Sequence, residues 1–492
     1  MTGFGIILTN PVEVNIYDIW NKSICQINLT ENNLTTKDTM LFNFNNSDER
    51  LFVQAGIATI SMQTFLSMCC GYTVNMDEMN HIFQRITGIH YENVFCNKQV
   101  DFSILYSSPR FWGKIARLVC EGTDILKKQG MWEVFKIEVK ITAVLHRMFD
   151  LKYPLDAMRV MKMRLKLQSD LFQIKKELNN DKNSFELLQL RQKLEDKLRR
   201  IPCEIYNSKK ADAVVSCNFR SIGTDTFRIT TNHINIQGLP KEVRRCFLPR
   251  YGDMLVEYDL VSSQVIILAC LAGEDSLIQL YEKGEDLYLY IAAALTGKQA
   301  GKITEKERGI YKMIILQILY GAGISTIQSA LEVNGINFSY TKVREMQKRF
   351  YRSFPAVREY SDKVKTIDSI VLPTGRKWNL KTSVEPYKRL SYIMQYVESM
   401  LLREILVLLD RKARNNEIWL YLCIHDDVFI ETNSDVYAEV RTIVRKCFNK
   451  AVHKYLLNLN QVRVKEDIIY DRTADIEWIS KRSKTQQEKE KV

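Results

Sequence analysis

The pattern of apolar and polar positions changes along this chain. Up to about residue 110, apolar residues come in short β-rich stretches, GIILTNPVEVNIYDI and ERLFVQAGIATI, separated by Asn-rich turns and without a catalytic signature. From 111 to about 200 the period becomes helical. Met158, Met161, Leu165 and Phe172 recur at near-helical spacing after Pro154, where a helix can begin. The polar break NNDKNS follows, then Ser184 as an N-cap for a second helix with Leu187, Leu190, Leu194 and Leu198 on one face. Ile201-Pro202 ends it, so the pattern predicts an antiparallel helical hairpin. From 203 to about 435 strands and helices interleave. MLVEYD reads as a buried strand, followed by the apolar helix SSQVIILACLAGE, with Ser262 or Ser263 to cap it and Gly273 to end it. WLYLCI is a second apolar strand, then His425-Asp426-Asp427, then VFIE as the returning strand. The charged tail KRSKTQQEKEKV is expected to be disordered.

With 492 residues, 46% of them hydrophobic, the chain can bury a core and form two or more domains. Its 70 Lys+Arg against 58 Asp+Glu give net +12 and a pI near 9.0, which suits nucleic acid or an anionic membrane surface, or simply a basic enzyme. The helical hairpin shares that bias, with 12 Lys+Arg against 7 Asp+Glu between 155 and 200. The start, MTGFGIILTNPVEVNIYDIW, lacks a basic n-region and a cleavage site, and runs such as VIILACLAG are too short to span a bilayer. Eleven scattered cysteines without a C-x-x-C pair argue against zinc and for reduced thiols. A soluble intracellular monomer is expected, in the cytoplasm of a bacterium or of a phage-infected cell.

The candidate chemistry lies in the interleaved region. Asp259 sits at the mouth of a strand, and Asp426 with Asp427 at a tight turn between paired strands. Carboxylates on rigid elements are what two-metal phosphoryl transfer needs, although either position alone also suits a cap or turn residue. Between them, ERGIYKMIILQILYGAG places Arg308, Lys312, Leu316 and Tyr320 four residues apart, along one broad helical face, before Gly321 and Gly323. Two cations and a phenol so spaced suit a nucleoside triphosphate lying along the helix. The plainer alternative is an amphipathic helix whose cations face solvent.

Together these segments resemble the family A, DNA polymerase I-like polymerases over about residues 218 to 475. DLVSSQVIILACLAGE is similar to the family's first palm motif, and Arg308, Lys312, Tyr320 and Gly321 meet its R-x3-K-x7-Y-G fingers motif. IHDDVFIE resembles the second palm motif, and Arg228, Asn235, Gln237 and Pro240 match R-x6-N-x-Q-x2-P. GEDLYLYIAAALTG, FPAVREY and LPTGRKW resemble further segments, and Gln395 falls where the family has a Gln on the helix before the second palm motif.

The resemblance implies an α+β right-hand polymerase fold, with an antiparallel palm sheet, helical fingers and a helical thumb behind a small mixed N-terminal region. Expected boundaries are 1–110 for that region, of unknown role, and 111–215 for a helical part including the thumb-like hairpin. The palm would take 216–274 and 386–480, the fingers 275–385, and the disordered tail 481–492. The implied function is primer extension on a DNA template with dNTPs and two Mg²⁺ ions, Mn²⁺ being a substitute. Asp259 and Asp426 would bind both metals, with Asp427 secondary in place of the family's Glu. Arg308 and Lys312 would bind the triphosphate, and Lys312 would donate a proton to pyrophosphate. Tyr320 would stand by the templating pair and Tyr288 near the incoming nucleotide. Arg228, Asn235, Gln237, Gln395 and His425 would touch primer–template.

Departures are specific. Gln264 replaces the family's sugar-selecting Glu, Ile266 an Arg, and Leu316 the usual aromatic on the fingers helix, which also belongs to the nucleotide pocket. No Asp-x-Glu precedes residue 200, so the proofreading exonuclease motif is missing, and the N-terminal segment looks too small for that fold. Two other readings remain. A single-subunit RNA polymerase shares the Asp, the fingers helix and the HD motif, and Gln264 keeps it open. A non-catalytic nucleic-acid-binding relative would have no need of the intact Asp259, Asp426, Arg308 and Lys312.

Overall fold

The computed structural model describes residues 2–8, 13–18, 23–28, 39–43, 59–70, 74–87, 109–149, 152–180, 184–202, 205, 212–371, 377–379, 385–413 and 417–472. The expected disordered tail lies outside them. The chain divides into two compact units: Met1–Leu151 with Phe219–Thr230 and Ile367–Ser383, and Lys152–Asn218 with Thr231–Thr366 and Val384–Val492.

In the first unit, β1 (Thr2–Leu8), β2 (Glu13–Asp18), β3 (Ser23–Asn28), β4 (Thr39–Asn43) and β5 (Thr59–Ser61) form one sheet in the order β3-β2-β1-β4-β5. The first three strands are antiparallel, with Ile6 opposite Ile16, and β1, β4 and β5 are parallel, with Phe4 opposite Leu41. Four helices follow: α1 (Met62–Cys70), α2 (Met76–Thr87), α3 (Pro109–Lys128) and α4 (Trp132–Phe149). Phe65 and Phe135 meet in their core with ring centroids 5.5 Å apart. Gly122 permits that packing, because a Cβ there would stand 2.5 Å from the Phe65 ring. The helices from 109 to 149 thus belong with the N-terminal sheet, and the hairpin after 152 belongs to the other unit.

The second unit opens with β6 (Tyr153–Asp156), antiparallel to β7 (Asp212–Val215). Pro154 lies inside β6, opposite Val214, and does not start the helix. That start is α5 (Ala157–Asn180), where Asp156 Oδ1 accepts from the Arg159 N–H at 2.9 Å. The partner helix is α6 (Phe185–Arg199), with Ser184 at the N-cap position but making no side-chain cap bond. α5 buries Val160, Ile174 and Leu178, and leaves Met158, Met161, Leu165 and Phe172 exposed, Phe172 at 67%. Two apolar stripes of helical period share this helix, and the period alone does not say which one faces its partner.

The second unit also holds a four-stranded antiparallel sheet of β8 (Met254–Leu260), β9 (Trp419–Ile424), β10 (Asp427–Thr432) and β11 (Val464–Asp471), in the order β9-β10-β8-β11. β8 is buried along nearly its whole length, which fits its apolar Met254, Leu255, Val256 and Leu260. α7 (Ser263–Ala272) follows β8, and contacts both α13 (Pro355–Val364) and the 25-residue α14 (Arg389–Ala413). α14 packs on β9 and on α15 (Tyr437–Tyr455). α7 is apolar on all sides because it is enclosed, and Gly273 ends it at φ 72°.

From 275 to 353 the chain is helical: α8 (Asp275–Glu282), α9 (Leu287–Thr296), α10 (Glu305–Leu319), α11 (Ile324–Glu332) and α12 (Tyr340–Ser353). A reciprocal capping box fixes the start of α10, where Thr304 Oγ1 accepts from the Glu307 N–H and the Glu307 carboxylate accepts from the Thr304 N–H. Gly321 follows its end at φ 74°, where a Cβ would meet the Tyr387 carbonyl oxygen at 2.3 Å. No disulfide joins the described cysteines, and none of the described helices is long and apolar enough to cross a membrane.

Candidate active site

Strand alternation brings the carboxylates to one end of the sheet. Asp259 is the penultimate residue of β8, paired with Lys465 on β11, while Tyr258 pairs with Val428 on β10. The β9–β10 hairpin pairs Ile424 with Asp427, so His425 and Asp426 form a two-residue turn. One oxygen from each of Asp259, Asp426 and Asp427 lies within 4.8 Å of the others, and all three residues are half-buried. Two of the four described non-glycine residues at positive φ flank this cluster, Ser262 at 53° and His425 at 57°. Such backbone costs about 1–3 kcal/mol per residue and is concentrated at functional sites.

The cluster is electrostatically crowded. Burial, then the charges of Asp426 and Glu257, raise Asp259 from the ordinary carboxylate range to about 7, against the opposing effect of Lys465. Burial and the charges of Asp259 and Asp426 push Asp427 up as well. Three hard oxygen donors at this spacing suit a divalent cation such as Mg²⁺ or Mn²⁺, whose charge would relieve the repulsion. The donor set therefore fits the metals that the sequence implies.

Residues that the motif reading passed over complete the surroundings. Glu257 lies two positions before Asp259 in the strand and is 9% exposed. Period-two alternation could have found it. Arg244 Nη1 stands 3.7 Å from Asp427 Oδ2, its Nε and Nη2 donating to the carbonyls of Leu239 and Gln237, both at 3.2 Å. Ser263 donates its hydroxyl to Asp426 Oδ2 at 2.8 Å and lies 3.2 Å from Glu398 Oε1 on α14. Ser262 holds the N-cap position of α7 without a side-chain cap bond, so neither serine caps the helix as expected. Glu398 was legible only as an acidic residue in an otherwise apolar helix face.

The cationic cluster is built by α9 and α10. Asp286 caps α9, its Oδ1 accepting from the N–H groups of Tyr288 at 2.9 Å and Leu289 at 3.2 Å. Its Oδ2 accepts from Arg308, with both Nε and Nη2 at 2.7 Å. Arg308 and the exposed Lys312 stand over the buried Tyr288 ring, at 5.6 and 4.9 Å from its centroid. Burial raises the Tyr288 phenol above its usual range, with Tyr320 and Asp259 among the charges that add to the rise. Tyr320, just past the end of α10, donates its hydroxyl to Gln264 Oε1 on α7 at 2.5 Å. Leu316 is half-buried on the same helix.

The remaining predicted contacts are spread more widely. The Asn235 side chain accepts from the Gly238 N–H at 3.1 Å and from Thr231 Oγ1 at 3.3 Å, shaping a short helical turn. Gln237 is buried, Gln395 is half-buried on α14, and His425 is exposed at the hairpin turn. Arg228 belongs to the first unit, where its backbone N–H donates to Thr224 Oγ1 at 3.1 Å.

DNA polymerase I of Aquifex aeolicus is 26% identical over 290 residues, covering 57% of this chain and 49% of that protein. The DNA polymerase of Mycobacterium phage D29 is 29% identical over 210 residues, covering 40% and 33%. The chain thus spans about half or less of the length of these curated relatives. The solved POL domain of Pol1 from M. smegmatis, in complex with DNA primer-template and dNTP, has the same fold at 12% identity. Its TM-score is 0.73, with 96% of this chain and 95% of that one covered. The family model for DNA polymerase family A matches residues 134–469, well over half of the 492-residue chain. By its sequence, and with the α+β right-hand polymerase fold that the structural likeness shows, the chain is a member of DNA polymerase family A.

Proposed function

We propose that this protein extends a primer 3′ end on a DNA template with dNTPs. The observation that carries the reading is the convergence of Asp259, Asp426 and Asp427 at one sheet end, beside a helix presenting Arg308 and Lys312 over Tyr288. Two Mg²⁺ ions, once bound, would supply a deprotonated 3′-hydroxyl and charge neutralisation at the leaving oxygen. Asp259 and Asp426 hold that pair and Asp427 assists. Lys312 and Arg308 bind the triphosphate, and the Lys312 ammonium gives its proton to the departing pyrophosphate. Tyr288 shapes the nucleotide pocket with Leu316 and Gln264, while Tyr320 stands at the templating pair. Arg228, Asn235, Gln237, Gln395 and His425 steady the primer–template.

In this reading the palm takes 216–274 and 386–480, the fingers 275–385, and the α5–α6 hairpin is the thumb. Its surplus of basic residues suits a phosphate backbone.

Proofreading is absent on this account. What supports this is the missing Asp-x-Glu before residue 200, together with the lack of Asp or Glu on β1, TGFGIIL, and on β4, TMLFN, since metal-assisted hydrolysis needs carboxylate ligands.

A second reading, use of ribonucleotides, is supported by one feature: Gln264, an amide that accepts the Tyr320 hydroxyl, falls where the resemblance implies the sugar-selecting Glu. Primer extension with Mg²⁺ and all four dNTPs, beside a reaction with rNTPs, tests both. Extension with dNTPs supports the proposal, extension with rNTPs alone moves the assignment to an RNA polymerase, and no extension with either favours a non-catalytic relative.

A further inference from the structure

The Asp426 carboxylate sits in a two-residue turn, where the hairpin backbone alone does not fix its plane. A hydrogen bond from another element does. Ser263 opens α7 directly after Ser262, whose positive φ sets the direction in which the helix leaves β8. The Ser263 hydroxyl is 2.8 Å from Asp426 Oδ2, an ordinary distance for O–H···O, and 3.2 Å from Glu398 Oε1. Both Ser263 and Glu398 are buried, at 8% and 5% exposure. A hydroxyl carries one proton, so it binds the nearer carboxylate and keeps Glu398 as its alternative acceptor. Of the three staggered rotamers open to a serine, the one lying between two carboxylates is selected. The chain Asp426–Ser263–Glu398 thereby ties the β9–β10 turn to α14 through the first residue of α7.

We infer that Ser263 is a positioning residue for the metal site, holding the Asp426 carboxylate in its ligating orientation, and that Glu398 acts through it by fixing the serine rotamer. Outer partners of this kind set how well a carboxylate is oriented for a metal, and losing one typically costs 10–100-fold in affinity. The inference rests on the metal-binding reading of Asp426.

The test is direct Mn²⁺ binding, followed by electron paramagnetic resonance, to the full chain with primer–template and no nucleotide. Ser263→Ala should weaken Mn²⁺ binding roughly tenfold, and Ser263→Thr, which keeps the hydroxyl, should restore most of it. Glu398→Gln should weaken binding by a smaller factor in the wild-type background, and by none in the Ser263→Ala background, because there is no rotamer left to fix. Thermal melts of each variant establish that it is folded. Unchanged Mn²⁺ affinity in folded Ser263→Ala overturns the inference, and so does a Glu398→Gln effect that multiplies independently of Ser263. An Asp426→Ala control separates the two levels. If it too leaves Mn²⁺ binding intact, the metal reading fails; if it alone abolishes binding, only the positioning role fails.

Discussion

Gln264 and Tyr320 are joined by one hydrogen bond, from the phenol to the amide oxygen at 2.5 Å. A carboxylate at 264 would accept the same bond and present a second acceptor. The amide presents a donor instead, to which a ribose 2′-hydroxyl can bind. A neutral hydrogen bond contributes about 0.5–1.5 kcal/mol, so discrimination should be relaxed and not reversed. Gln264→Glu should therefore raise the ratio of kcat/KM for dNTP over rNTP by several-fold, measured on one primer–template with competing nucleotides. An unchanged ratio would mean that Gln264 does not sit over the sugar. At this scale the sequence located groups that the fold brings together: Asp259, Asp426 and Asp427 by their strand-end and turn positions, and Arg308 and Lys312 by helical spacing. Ser263, Glu398, Arg244 and Asp286 act across sequence separations that spacing cannot reveal, because their partners lie on other elements.

Elements explain how these side chains are held. α9 and α10 are tied by Asp286, which caps one helix with Oδ1 and engages Arg308 of the other with Oδ2. Asn caps a helix about as well as Asp. Asp286→Asn should leave the melting temperature near that of the wild type while releasing Arg308 from a charge. A partly exposed ion pair contributes about 0.2–1 kcal/mol, so the dNTP KM should fall by up to about fivefold. A raised KM in steady-state single-nucleotide incorporation would show that Asp286 holds Arg308 ready for the phosphates. The elements themselves were largely legible. Strands MLVEYD and WLYLCI, the turn at His425 and the helix bearing Arg308 all stand where the apolar period placed them. Local signals erred where two uses of a residue compete. Pro154 suits a helix start and an edge strand equally, and the strand prevails because β7 pairs with it. Serines 262 and 263 suit a cap, but the backbone of the first turns left-handed and the carboxylates claim the hydroxyl of the second. The exposed Met158, Met161, Leu165 and Phe172 show that a helical stripe identifies a helix without identifying its buried face.

The two units divide the chain's chemistry unequally. The first carries the mixed sheet β3-β2-β1-β4-β5 without acidic residues on β1 or β4, a topology that short β-rich stretches could not disclose because order and direction are set by long-range pairing. On this account the protein leaves a mispaired primer terminus untouched. Mg²⁺-dependent trimming of such a primer that persists in Asp259→Asn would contradict it, since that variant disables only the second unit's site. In the second unit, every proposed role depends on the three carboxylates acting as a metal site rather than as a cluster of turn residues. Single-nucleotide extension with Mg²⁺ and dNTP by Asp259→Asn and Asp426→Asn, alongside wild type, with primer–template affinity measured on the same preparations, tests that dependence most directly. Each variant should lose extension by several orders of magnitude while binding DNA nearly as tightly as the wild type, because each substitution removes a metal ligand and not a DNA contact. Near-normal extension by both variants would mean that the catalytic site lies elsewhere.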